Sequence, residues 1–252
     1  MTGPTAHLHH SAAPTPDVAD PSTLRVITWN IEFAHHTLRA LRAIEQHDAE
    51  EHIDIMLLQE MDERGTAEIA DQLDLNYAYV ALSVHPQSDR NFGNAILSPW
   101  PLADAEVTPL PHVAPVQGQP RAILGTTVSH PSGDVRAYSV HTETPVLSHR
   151  RRLRQFVTIG ETVARRADLP VLLGGDFNTA STRSVRAVAT ELEGRSLRRI
   201  SAEAGPTFRW AGRSFELDHL FVRGLCDSTI GRLSDHAASD HDALWADLTH
   251  AD

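Results

Sequence analysis

The run Val171-Leu172-Leu173-Gly174-Gly175-Asp176-Phe177-Asn178 decides how this chain reads. Three apolar residues make a short buried strand, two glycines close it, and it runs into a carboxylate with an amide two residues on. The arrangement recurs on both sides. Val26-Ile27-Thr28-Trp29 runs into Asn30, Ile55-Met56-Leu57-Leu58 into Gln59-Glu60, and Ala137-Tyr138-Ser139-Val140 into His141. Toward the C-terminus, Leu217-Asp218-His219-Leu220-Phe221 and Ser239-Asp240-His241 set two more polar clusters beside apolar strands. One such group alone reads equally well as a turn former or a satisfied core histidine. Six together point to a site built at strand ends.

Between these stretches the hydrophobic period switches. Strands are expected over 24–31, 53–58, 77–82, 93–97, 122–128, 135–140, 171–173, 217–222 and 243–248, and helices over 37–51, 66–73, 148–166 and 185–192. Many strands, few helices and hairpin-length links predict an α/β (α+β) chain, with two packed mixed sheets flanked by helices. Residues 1–22 are rich in Pro, Thr, Ala and His and read as a flexible tail before one domain over 23–252. His7, His9 and His10 in that tail are at most weak metal ligands.

Composition narrows the chemistry. All 22 Lys+Arg residues are Arg, which excludes Walker-A loops, pyridoxal Schiff bases and kinase-type catalysis. A single cysteine, Cys226, excludes an intrachain disulfide and a multi-cysteine zinc site. The formal net charge of −11 disfavours long, nonspecific tracking along a polyanion. The N-terminus carries no signal-type apolar run and no stretch approaches the roughly 20 apolar residues of a membrane span. The expectation is a cytoplasmic monomer without a transmembrane segment.

Asn30, Glu60 and Asp240 are oxygen donors that suit Mg²⁺ or Mn²⁺ better than zinc. Such an ion neutralises charge developing on a phosphoryl group. His241, paired with Asp218, is the natural base for water near neutral pH. Thr28-Trp29-Asn30, Leu58-Gln59-Glu60, Gly93-Asn94-Ala95-Ile96-Leu97-Ser98, Val140-His141, Gly175-Asp176-Phe177-Asn178, Leu217-Asp218-His219-Leu220-Phe221 and Ser239-Asp240-His241 stand in one order. Over roughly residues 24–249 this order resembles the endonuclease/exonuclease/phosphatase superfamily. That group includes pancreatic deoxyribonuclease, abasic-site endonucleases, neutral sphingomyelinases and inositol polyphosphate 5-phosphatases.

The resemblance implies a four-layer sandwich with its site at one edge of two packed sheets. It implies Asn30 and Glu60 as metal ligands, with Asp240 as a further acidic group. Asp176 and Asn178 would orient the water, His241 with Asp218 would take its proton, and His141 would meet a phosphate oxygen or the leaving group. Arg121 and Asn94 are the expected substrate contacts; Arg90 is a weaker candidate. The expected function is divalent-metal-dependent hydrolysis of a phosphodiester or phosphomonoester. The alternatives are a DNA or RNA nuclease and an inactive phosphate-binding module. Arg150-Arg151-Arg152 and Arg154 form the densest basic run, but without aromatic interleaving, which favours a compact substrate while leaving nucleic acid open. Trp210 is the aromatic expected to meet a ligand.

Overall fold

A computed structural model describes residues 4–16, 21–48, 53–84, 89–116 and 118–251. Two mixed sheets form its centre. The first contains β1 (His7–His9), β2 (Leu24–Asn30), β3 (Ile55–Met61), β4 (Asn76–Val84), β5 (Asn91–Ser98), β14 (Leu225–Leu233) and β15 (Ala243–His250), in the order β1-β4-β5-β3-β2-β15-β14. The second contains β6 (Leu102–Pro109), β7 (Ala122–His130), β8 (Gly133–His141), β9 (Val171–Asp176), β10 (Arg198–Arg199) and β13 (Asp218–Arg223), in the order β10-β13-β9-β8-β7-β6. A separate hairpin pairs β11 (Phe208–Trp210) with β12 (Arg213–Phe215). The helices are α1 (Thr37–Asp48), α2 (Glu63–Gln72), α3 (His149–Ala164) and α4 (Thr182–Glu193).

The period-two alternation of side chains explains the layers. Val26, Leu57 and Leu172 point between the sheets, where they join Ile55, Leu124, Leu220 and Leu244 in one buried cluster. Their neighbours Ile27, Trp29, Met56 and Leu58 face outward against Leu41 and Ile44 of α1 and Ile69 of α2. On the opposite side Val171 and Leu173 pack with Phe156, Ile159 and Val163 of α3 and Val188 and Leu192 of α4. Both faces of the central strands are therefore covered, and the expected helix–sheet–sheet–helix sandwich is what forms.

Two parallel pairs matter for the site. β2 lies parallel to β3, with Asn30 opposite Gln59, and β8 parallel to β9, with His141 opposite Asp176. Antiparallel β13 sets Asp218 opposite Asp176 as well. At Gly174 the packing leaves no room for a side chain: a Cβ there would lie 2.8 Å from both Leu57 and Leu220 side-chain carbons. Gly175 has φ +147°, and a Cβ would meet the Val140 carbonyl oxygen at 1.9 Å. The two glycines thus serve sheet packing and backbone geometry, not only a turn.

Several sequence expectations change. Within the expected tail, His7–His9 form an edge strand on β4, with His9 stacked on Tyr77 at 4.9 Å, because backbone pairing to a free sheet edge needs no apolar pattern. Residues 1–3 and 17–20 of the tail, and 49–51 of the first expected helix, lie outside the described residues. β6 and β14 had no sequence signal, since both are edge strands with exposed, broken alternation. α2 starts earlier than expected because the Asp62 carboxylate caps it, accepting from Gly65 N–H at 2.6 Å. Among the described residues no helix is long and apolar enough to cross a membrane.

Candidate active site

The strand ends named from sequence converge on a cavity of about 450 Å³ at one edge of the two sheets. Asn30, Glu60, Arg121, His141, Asp176, Asn178, Asp240 and His241 all line it. Glu60 reaches it through a bulge: the β3–β5 register shifts between Gln59 and Met61, leaving Glu60 unpaired at φ 59°. Asn178 also sits in the left-handed region, at φ 50°. Its N–H donates to Asp176 Oδ1 at 2.7 Å and its amide to the Thr142 carbonyl at 3.0 Å.

Asp218 does not line the cavity; it is buried behind His241. Its Oδ2 lies 2.8 Å from His241 Nδ1 and accepts the Thr207 hydroxyl at 2.6 Å. A carboxylate oxygen only accepts, so His241 carries its proton on Nδ1. Trp29 Nε1 donates to the His241 carbonyl at 2.8 Å, and Ser239 Oγ ties the same segment to the Asn30 carbonyl at 2.6 Å. Burial pushes the His241 imidazole down, but the charge and hydrogen bond of Asp218, with Asp176 and Asp240, outweigh it and carry the pKa up to about 10. Burial raises the Asp240 carboxyl to about 6, opposed by His241 and assisted by Glu32 and Glu60.

Asn30 donates its amide to Glu60 Oε1 at 3.2 Å and Asp176 Oδ2 at 3.1 Å, while its Oδ1 accepts from Glu32 N–H. It therefore presents a donor, not an oxygen, to the two carboxylates in this arrangement. Arg121 NH1 lies 2.9 Å from His141 Nδ1, and His141 Nε2 lies 3.3 Å from Asp176 Oδ2. Arg121 NH1 is also 3.1 Å from Nε2, but because guanidinium only donates and the Asp176 carboxylate only accepts, Nδ1 is the ring nitrogen left to accept and Nε2–H faces Asp176. Burial pushes the Asp176 carboxyl up, but His141 and His241, with the Asn178 N–H, hold it below its ordinary value. Arg121 itself is buried, its fork anchored 3.7 Å from Glu143 and its carbon centre 5.0 Å above the Phe92 ring.

Two expectations are corrected. Asn94 is absent from the cavity wall; it is buried and donates to the Ala122 and Ser139 carbonyls at 3.2 and 3.3 Å, tying one sheet to the other. Arg90 does not line this cavity and pairs with Asp62. The basic run also divides. Arg150, Arg151 and Arg154 are exposed, whereas Arg152 is buried and donates to the Phe177 and Asn178 carbonyls.

Sequence reasoning missed the aromatic wall opposite the carboxylates. Phe208 and Phe215 come from the β11–β12 hairpin, and Phe208 lies 4.9 Å from the His241 ring between centroids. Trp210, expected at a ligand, also lines the cavity and is 68% exposed. The available signal was the two-residue turn Ala211-Gly212, with φ 49° and 73°, between two short aromatic runs.

The donor chemistry fits a hard divalent cation. Glu60 and Asp240 face one cavity with Asp176 and Glu32, and burial, with the nearby charges of Glu32 and Glu60, raises Asp240. Among the described residues, one group of metal-ligating types lies within 4.8 Å: Asp176, Asp218 and His241. Within it the Asp218–His241 contact is already a hydrogen bond and Asp218 lies behind the wall, so the carboxylates that face the cavity are Asp176, Glu60 and Asp240.

A model of the endonuclease/exonuclease/phosphatase family matches residues 27–241. Among curated proteins none matches. Solved structures share the fold. An endonuclease/exonuclease/phosphatase from Beutenbergia cavernae aligns with TM-score 0.74 at 21% identity, covering 91% of this chain and 72% of that one. A mannosyl-6-phosphatase from Bacteroides thetaiotaomicron aligns with TM-score 0.68 at 18% identity, covering 90% and 99%. TDP2 from D. rerio, complexed with single strand DNA product, aligns with TM-score 0.70 at 14% identity, covering 90% and 99%.

Proposed function

Because this chain belongs to the endonuclease/exonuclease/phosphatase family, we propose that it hydrolyses a phosphate ester with water as the nucleophile. The observation that carries this reading is the buried Asp218–His241 pair opening onto a cavity that also holds Glu60 and Asp176. His241, its Nδ1 proton held by Asp218, is left with Nε2 as the base for a water proton. Asp176 and Asn178, fixed by the turn that Arg152 supports, orient that water. Arg121 and His141 meet the phosphoryl oxygens, and the buried guanidinium retains its charge although burial lowers its pKa.

Glu60 and Asp240 are the residues that would hold Mg²⁺ or Mn²⁺, with Asn30 beside Glu60. Such an ion supplies Lewis-acid polarisation of the phosphoryl group and neutralises charge in the transition state. Asp218, Asp176 and Asp240 favour the protonated imidazole of His241, so positive charge bound among these carboxylates favours the basic form.

The substrate is a compact phosphoester with a planar or apolar part. A cavity of about 450 Å³ suits a small molecule, and Phe208, Trp210 and Phe215 give it one aromatic side. The test is a panel of aryl, sugar and nucleotide phosphoesters with Mg²⁺ or Mn²⁺. Turnover is expected to vanish in EDTA and to return when the metal is restored. No metal-dependent turnover on any member of the panel would refute the reading.

A further inference from the structure

A second groove lies on the far side of the 3-10 turn Glu32–Ala34. Glu32 and Phe33 face the cavity described above; Ala34, next along the same turn, faces a groove of about 560 Å³. Its walls carry His35, His36, Arg39, Arg42, Arg64 and Arg90, against Glu68 as the single acid. In a chain with a formal net charge of −11, this groove gathers four arginines, two of them in ion pairs and two set against Glu68. Arg39 pairs with Asp235 and Arg90 with Asp62. Arg42 and Arg64 are exposed and form no ion pair among the described residues.

The turn between the two cavities is held from both sides. Phe33 N–H donates to Glu60 Oε2 at 3.2 Å, and Arg90 donates to the Ala34 carbonyl at 3.4 Å. Glu32, Phe33 and Ala34 have φ of 35°, 57° and 50°, three successive non-glycine residues in the left-handed region. Such a run persists only where its surroundings over-determine it. A row of rings crosses the same boundary: His141 to Phe92, Phe92 to Phe33 and Phe33 to His35, with centroids 5.7, 5.6 and 5.6 Å apart. The catalytic carboxylate and the basic groove are thus fixed relative to one another by a single strained turn.

We propose that this groove binds a second phosphate group of the substrate, beyond the scissile one, through Arg42 and Arg64. The proposal rests on the phosphoester reading above. Guanidinium forks match phosphate oxygens bidentately, and arginine is the only permanently charged cation this lysine-free chain has. The second phosphate belongs either to a compact molecule with two phosphates or to the next nucleotide of a strand.

The test compares the whole protein with its R42A/R64A variant in excess EDTA. Calorimetry reads the binding of inorganic pyrophosphate. Fluorescence anisotropy, over a range of salt concentrations, reads that of a labelled single-stranded oligodeoxythymidylate. Each charged hydrogen bond lost corresponds to about tenfold or more in Kd, so the variant is expected to bind at least about tenfold more weakly. A loss with pyrophosphate assigns the groove to a compact second phosphate. A loss confined to the oligonucleotide, with a shallower salt dependence, assigns it to a strand. Equal Kd values for both probes in the two proteins, or no detectable binding of either probe by the unaltered protein, would overturn the proposal. Turnover of bis(4-nitrophenyl) phosphate by the unaltered protein with Mg²⁺ is measured separately. If it and the wider panel are inert, the hydrolase reading fails while the binding comparison still decides the groove.

Discussion

His241 shows how much one side chain depends on neighbours from distant parts of the chain. Its Nδ1 is committed to Asp218, and its ring faces the cavity beside Phe208. Replacing His241 by Ala is expected to lower kcat by about 10²–10⁴ while the far-ultraviolet circular dichroism is retained; unchanged kcat would remove it as the base. His219, two strand positions from Leu217, has a different task. Thr179 Oγ1 donates to the Glu216 carbonyl and so accepts from His219 Nε2 at 2.7 Å. Burial, with Arg199 nearby, holds this imidazole well below its ordinary pKa of 6.5, against the opposing pull of Asp176. The folded state therefore resists a proton that the unfolded chain accepts below about pH 6.5, and stability falls as pH drops through that value. Urea unfolding at pH 8 and pH 5.5 should show a smaller loss in His219→Asn than in the unaltered protein, by about 1 kcal/mol. The residue types of the site were legible because each strand ended on one. Asn30 was legible as a polar strand end, but its amide orientation depends on Glu60 and Asp176, which arrive from other strands.

The β11–β12 hairpin is the element whose role the sequence least disclosed. It closes one side of the cavity with Phe208, Trp210 and Phe215, and Asp242 anchors it by accepting from Arg209 at 3.3 Å. Three-residue strands carry too little periodicity to be read, and their aromatic wall exists only against His241. Replacing Trp210 by Ala is expected to raise KM several-fold for substrates with an aromatic group and to leave kcat within about twofold, since stacking on an exposed ring contributes about 0.5–1.5 kcal/mol. A steady-state comparison of aryl and alkyl phosphoesters checks this; equal KM changes for both would remove the stacking role. The start of α3 teaches a related point. Four arginines looked like one basic face, yet helical geometry turns Arg152 inward to the Asn178 turn while its neighbours stay in solvent.

At the scale of the whole molecule, two sheets must approach closely enough for groups at the ends of β2, β3, β8, β9 and β13 to share a cavity. Gly174 leaves no room for a side chain in that approach, and Gly174→Ala would push a methyl group against Leu57, Leu220 and Thr28. The expected cost is about 1–3 kcal/mol, seen as a lower urea midpoint with an unchanged slope. A midpoint equal to that of the unaltered protein would show that the sheets can separate there without penalty. Asn94, Gln59 and Ser139 add hydrogen bonds across the same gap, with Gln59 Nε2 donating to Ser139 Oγ at 3.1 Å. The sequence by itself determined the double-sided burial of the central strands, the polar group at each strand end and the family order of the motifs, because these follow from local periodicity and residue chemistry. Only the tertiary structure decided that Asp218 stands behind His241, that Asn94 joins the sheets, that Glu60 enters through a bulge and that Arg152 points inward. Each of those depends on register and packing between segments far apart in the chain, which no local pattern encodes.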